Sequence, residues 1–273
     1  MTDRAVSPPD TIVLIHGLFL TAKSWERWIQ RYSNQGFTVI AKSWPGMDVD
    51  IEAMRKDTSG IDDLGIGEVA DHYEKIVSDL DRPPIIIGHS FGGLITQILL
   101  GRGLGVAGVA LDSAPFKGVH VVPPSTVRVG WPALKNPANA HRAVTLTPEE
   151  FHYAFTNTMT EDESRAVYER YAAPGPGRPL FQAAFANFTP HSSAAVDYRN
   201  QERAPLLIIA GAQDHVSPVS INRSELKHQQ KSHAVTAYKE FPDRQHFLLG
   251  QEGWEEIADF ALAWALNPIG GEL

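Results

Sequence analysis

The segment Ile85-Ile86-Ile87-Gly88-His89-Ser90-Phe91-Gly92-Gly93-Leu94-Ile95 constrains this chain more than any other. Its β-branched apolar run reads as a buried strand and the apolar stretch after Gly93 as a helix, so Ser90 falls on a tight strand-to-helix turn. Glycines two positions before and after such a serine let the turn close without side-chain collision. The following helix aims its free N–H groups and its positive dipole end at the serine, where they stabilise developing negative charge. A bare G-x-S-x-G can also be an ordinary glycine-rich turn. The strand before, the helix after and the third glycine at 93 favour a nucleophile at Ser90.

The rest of the chain supplies a sheet for that strand. Val- and Ile-rich runs at 11–16, 37–42, 84–89, 106–111, 205–210 and 234–240 alternate with amphipathic stretches near 24–34, 67–80, 91–101, 218–230 and 253–266. Continuously apolar strands separated by helices belong to a parallel sheet covered on both faces. The expected fold class is therefore α/β, a doubly wound, mostly parallel six-stranded sheet. The alternation breaks between Phe116 and Arg203, where no strand is expected. Helix starts occur there instead, as capping boxes at Thr147 to Glu150 and Thr160 to Glu163, while Ala173-Pro174-Gly175-Pro176-Gly177-Arg178-Pro179 reads as a loop between helices. The expected organisation is a core of 1–115 and 204–273 with a helical insertion, 116–203, after the fourth strand. The insertion is rich in aromatics (Trp131, Phe151, Tyr153, Phe155, Tyr168, Tyr171, Phe181, Phe185, Phe188). Most are expected to form its own small core, and several could face down to line an apolar pocket.

Composition excludes several chemistries. With no cysteine there is no disulfide scaffold, thiolate zinc site, iron–sulfur cluster or cysteine nucleophile. No H-E-x-x-H or clustered His and carboxylate spacing appears, so neither a metal nor another cofactor is expected. The 24 basic and 32 acidic residues give a net charge of −8, which disfavours nucleic acid and an anionic membrane surface as partners. No apolar run is long enough to insert in a membrane, and the first ten residues, MTDRAVSPPD, lack a secretory start, so a cytoplasmic protein is expected.

A serine nucleophile needs a base, and the base an orienting carboxylate. Asp214, in Gly211-Ala212-Gln213-Asp214, follows the fifth strand, and His246, in Asp243-Arg244-Gln245-His246, follows the sixth. Both lie beyond strand C-termini, where catalytic groups collect in such sheets. The order Ser90, Asp214, His246 suits the arrangement. Asp112 also ends a strand and is the alternative acid, with Asp214 preferred. Among the other histidines, His215 adjoins the acid, His89 points away from Ser90, and His233 precedes its strand. The first strand ends in His16-Gly17-Leu18-Phe19. Gly17 lets the backbone turn over the sheet's edge, so the oxyanion hole is assigned to the N–H groups of Leu18 and Phe91, with His16 structural.

The His16-Gly17 loop, the Gly88–Gly93 elbow, the Gly211–Asp214 loop and the late His246 together resemble the α/β-hydrolase superfamily over nearly the whole chain. The resemblance implies a lid-bearing serine hydrolase whose insertion covers the pocket. Family members often begin with two antiparallel strands, for which only about ten residues are available here, so a trimmed sheet is expected. Serine at 90 argues against the superfamily's haloalkane dehalogenases and epoxide hydrolases, which place aspartate there. The leading expectation is cleavage of small to medium apolar or aromatic carboxylic esters through an acyl-enzyme. The same triad could serve lactone or C–C bond hydrolysis or cofactor-free perhydrolysis, and a non-catalytic ligand-binding protein on this fold is a third reading.

Overall fold

The computed structural model describes residues 8–273. Residues 1–7, which carry most of the N-terminal stretch read above as non-secretory, lie outside them. The chain runs β1 (Thr11–Ile15), α1 (Glu26–Ser33), β2 (Thr38–Ala41), α2 (Ile51–Lys56), α3 (Ile66–Ser78), β3 (Ile85–His89), α4 (Phe91–Gly101) and β4 (Ala107–Leu111). Next come α5 (Pro124–Leu134), β5 (Ala143–Val144), α6 (Pro148–Phe155), α7 (Glu161–Tyr171), β6 (Gly175–Pro176) and α8 (Arg178–Ala184). The chain closes with β7 (Leu206–Gly211), α9 (Val219–Gln229), β8 (Thr236–Phe241), α10 (Trp254–Leu266) and β9 (Gly271–Glu272).

The main sheet has the order β2-β1-β3-β4-β7-β8-β9, with every neighbouring pair parallel. It is a doubly wound α/β sheet of seven strands rather than six. The added member, β9, pairs Gly271 with Ala237 and is too short for an apolar run to signal it. Likewise, the insertion is not strand-free: β5 and β6 form a two-residue antiparallel ribbon. Both pieces arise from main-chain pairing that side-chain patterning does not encode.

Alternation along each strand explains the two-sided burial. Val13, Ile15 and Ile86 pack toward α3, α4 and the insertion, while Ile12, Leu14, Ile85 and Ile87 pack toward α1 and α10. Fully burying each such side chain contributes about 1.5–3 kcal/mol. On the second face Trp28 and Tyr32 tie α1 down through Trp28 Nε1–H to Leu249 O (3.0 Å) and Tyr32 O–H to Ala258 O (2.8 Å). In the insertion both capping boxes form, starting α6 at Pro148 and α7 at Glu161.

The strand order reverses between β1 and β3, so the loops after these two strands open a crevice at the C-terminal edge. There the backbones nearly touch: a Cβ on Gly92 would lie 2.1 Å from Ile15 O, and one on Gly88 2.0 Å from Gly92 O. A Cβ on Gly67, near the start of α3, would instead make ordinary van der Waals contact, 3.7 Å from Ser193 Oγ. Gly92→Ala is therefore expected to lose at least about 1–3 kcal/mol of stability, and Gly67→Ala to gain about 0.5 kcal/mol, both measured by urea unfolding.

Candidate active site

Ser90 sits between β3 and α4 at φ 56°, ψ −121°, a strained conformation for a side-chain-bearing residue. Its own main chain is fully used: Ser90 N–H donates to Leu111 O (2.8 Å), and Ser90 O accepts from Ala114 N–H (3.0 Å). The elbow is thereby fixed to the end of β4. Phe91, the first residue of α4, has no intrahelical acceptor for its N–H. Gly17 packs against the elbow so closely that a Cβ there would lie 2.8 Å from Ser90 Cβ. The Leu18 N–H, one residue on, is also left without a main-chain acceptor among the described residues.

His246, in the loop between β8 and α10, and Asp214, in the loop between β7 and α9, meet with both side chains fully buried, His246 Nδ1 lying 2.7 Å from Asp214 Oδ2. The carboxylate can only accept, so Nδ1 carries the proton and Nε2 is left as the basic nitrogen. Nε2 is buried with no partner among the described residues. Asp214 is held in turn by its own loop, Oδ1 accepting from Val216 N–H at 2.6 Å. No Ser90–His246 hydrogen bond is formed in this structure; bonds of this kind tighten when substrate is bound.

The two carboxylates considered for the acid part company here. Asp214 bonds to His246. Asp112, which has φ 43°, accepts Gly211 N–H on Oδ1 at 2.7 Å and leaves Oδ2 buried and unpartnered. Burial first, and the nearby Asp214 charge second, hold the Asp112 carboxyl well above its usual range. Asp112 therefore holds its proton more tightly than an ordinary carboxylic acid. Folding also brings ligand-type atoms of His89, Asp112 and His246 within 4.8 Å of one another, a proximity that no local spacing reveals. These side chains already have other tasks: His89 Nε2–H donates to His246 O at 2.8 Å, and Asp112 holds Gly211.

Several supporting residues escaped the sequence reading. The His89 ring packs 4.6 Å from the His246 ring and steadies the His246 main chain through Nε2–H. Burial, followed by its proximity to His246, keeps His89 neutral. Phe155 of α6 places its ring 4.9 Å from His246, and its carbonyl accepts Phe247 N–H at 2.9 Å. Gln245 Oε1 accepts from Thr158 N–H at 2.8 Å. A loop carrying Gln-His-Phe offers no local signal for these partners, of which Phe155 and Thr158 come from the insertion and His89 from the end of β3. His16 does pin its loop: Nδ1–H donates to Gly17 O (2.8 Å), and Nε2 accepts Trp44 N–H (3.0 Å).

A cavity of about 220 Å³ opens beside the elbow, with Phe91 and Ala114 in its wall. Its remaining lining is mostly aliphatic, including Val119, Val127, Leu134 and Leu180. The aromatics expected from the insertion do not line it. Phe151 and Phe155 stack on each other at 4.7 Å, Tyr171 packs on Phe247 at 5.5 Å, and Trp131, Phe185 and Phe188 face outward.

The loop after β1 meeting a serine elbow, with a buried Asp–His pair beyond β7 and β8, is the arrangement of an α/β hydrolase. The chain belongs to the alpha/beta hydrolase family, whose model matches residues 12–260. Its fold is similar to that of the Paleococcus ferrophilus monoacylglycerol lipase, at TM-score 0.66 and 20% identity over 95% of each chain. An extracellular alpha/beta-hydrolase from Paenibacillus, described as sharing structural and functional homology with tobacco salicylic acid binding protein 2, gives TM-score 0.67 and 18% identity. That likeness covers 94% of this chain and 99% of that one. A pyrethroid hydrolase from Sphingobium faniae gives TM-score 0.61 and 16% identity over 94% and 98%. No curated protein sequence matches the chain. Among the described residues no helix is long and apolar enough to cross a membrane.

The buried histidines set a pH limit on stability. Burial lowers His16 to about 4, against the smaller opposing effect of its bond to Gly17 O. An unfolded His16 would take up a proton near its ordinary 6.5, so the unfolded state gains as pH falls. His16 therefore contributes stability that is complete above 6.5 and is lost as pH drops through about 4, up to about 3 kcal/mol, and His89 acts in the same direction. The urea midpoint should fall across that window, and His16→Gln should flatten the slope.

Proposed function

We propose that this protein hydrolyses carboxylic esters at Ser90 through an acyl-enzyme intermediate. The observation that carries this reading is the buried Asp214–His246 pair with its free Nε2, set at the sheet edge that also presents a strained serine on a helix N-terminus. Ser90 Oγ attacks the ester carbonyl while His246 Nε2 takes its proton, and Asp214 orients and stabilises the imidazolium. The Leu18 and Phe91 N–H groups receive the oxyanion. His246 then returns the proton to the leaving alcohol. Water, activated by the same nitrogen, attacks the acyl-enzyme and releases the acid and Ser90.

Residues 116–203 act as a lid on the core formed by 1–115 and 204–273. Support comes from bonds that bind this segment to the site's loops: Ala173 N–H to Phe19 O and Phe247 N–H to Phe155 O, each at 2.9 Å. The aliphatic cavity favours a small to medium ester with an aliphatic acyl or alcohol group over an aromatic one. Family membership and the lipase and hydrolase names of the similar folds agree with the class of reaction.

The test is turnover of p-nitrophenyl esters of increasing chain length, beside lactones, C–C bond substrates and peroxide-dependent halogenation. Ser90→Ala should abolish ester turnover with the fold intact, and retained activity would overturn the assignment. Asp214→Asn should lower kcat roughly ten-thousandfold. Asp112→Asn should change kcat only severalfold, because Asp112 bonds to Gly211 N–H and not to His246. The reverse order of these two effects would move the acid role to Asp112.

A further inference from the structure

The insertion carries an outward face that the hydrolytic site does not use. On α5 the exposed positions are Pro124, Val127, Arg128 and Trp131, with Lys135 one residue past its end. Their spacing of three and four places them on one side of the helix. Beside α5 lie α8 and the short turn after it, which expose Phe185 and Phe188. The fraction exposed is 69% for Val122, 60% for Trp131, 55% for Phe185 and 83% for Phe188, a concentration of large apolar groups unusual for a solvated surface. Val122 and Val127 also line the cavity beside Phe91, so the cavity's mouth opens on this face.

The charge there is the reverse of the protein's. Residues 113–148 contain Lys117, Arg128, Lys135 and Arg142, and 171–196 contain Arg178, while all 32 Asp and Glu lie outside these two stretches. None of Lys117, Arg128, Lys135 and Arg142 forms an ion pair among the described residues. Lys117 Nζ donates to the Thr189 and Pro190 carbonyls, and the Arg128 guanidinium lies 3.7 Å over the Tyr153 ring, contacts that leave both charges uncompensated. The carboxylates bonded to this part of the insertion, Asp62, Asp63 and Glu68, engage Ala143 N–H, His141 and Arg178 respectively.

We propose that this face docks the protein on a lipid surface bearing anionic headgroups. Trp131, Phe185, Phe188 and Val122 enter the boundary between headgroups and acyl chains, where aromatic rings are favoured. Arg128 and Lys135 meet the headgroups, each strengthening binding about fivefold. The acidic remainder of the molecule is repelled by the same surface, which orients the cavity mouth toward the lipid. The docking needs no catalytic step and stands apart from the assignment of Ser90.

The test is co-sedimentation of the full chain with phosphatidylcholine vesicles containing about one-third phosphatidylglycerol, against phosphatidylcholine alone. The protein should pellet with the anionic vesicles, less so as salt rises, and Ser90→Ala should pellet equally. Lys135→Glu should weaken binding at least about fivefold, and Trp131→Ser combined with Phe188→Ser should abolish it. Trp131 is the one exposed tryptophan among the described residues. Brominated acyl chains should therefore quench part of the emission of the wild type and none of that of Trp131→Phe. Equal pelleting with both vesicle types, or binding unchanged in these variants, would overturn the proposal. So would a lipid-free dimer, seen by sedimentation velocity and broken by Trp131→Ser with Phe188→Ser, with no vesicle binding; that result would give the face to a second copy of the chain.

Discussion

The approach of two backbones at the C-terminal edge of the sheet, Gly92 of α4 against Ile15 O of β1, is the constraint on which the site depends. A methyl group there would drive the nucleophile helix away from the first strand. The loop after β1 could then no longer lay Gly17 against Ser90, and the Leu18 and Phe91 N–H groups, the proposed oxyanion hole, would be separated. Oriented main-chain dipoles are effective because they require no reorganisation as charge develops. That advantage exists only if packing holds them to a fraction of an ångström. His16 serves the same end from below, using both ring nitrogens to join its own loop to Trp44.

Electrostatics at the far side of the site is governed by two carboxyl groups buried side by side. Asp112 and Asp214 are both buried near His246, and two ionised carboxylates cannot be sustained so close together in a poorly solvated space. One bonds to the imidazole, and the other, pushed by burial toward its protonated form, holds the Gly211 main chain. His89 is likewise kept neutral beside His246. His246 is therefore flanked by two groups, His89 and Asp112, whose uncharged forms burial favours.

The sequence made the core of the fold legible wherever side chains alone dictate structure. Six β-branched runs mark the six long strands, and the reciprocal Thr and Glu caps mark the starts of α6 and α7. The elbow was legible because its glycines sit at fixed offsets from Ser90 between an apolar strand and an apolar helix, although the atom that crowds Gly92, Ile15 O, is remote in sequence. β9 and the β5–β6 ribbon were not, because two-residue pairings rest on main-chain hydrogen bonds alone. Nor could the sequence show that Phe155 would reach His246 while Trp131 faced outward. Both are aromatics on insertion helices, and only tertiary packing separates their fates. The net charge of −8 concealed an acid-free stretch from 113 to 148, because a sum over the chain discards position.

The bond from Phe247 N–H to Phe155 O has a consequence for how such a protein can change its specificity. The insertion is not a detachable module laid over a finished catalytic domain. Through Phe155 it grips the loop that carries His246, and through Ala173 it grips the loop that carries Leu18. Exchanging the whole segment for a relative's would remove two struts from the machinery beneath it. Diversification is steered instead toward single side-chain changes in the aliphatic wall, such as Val119 or Leu180, which reshape the chamber and leave the struts in place.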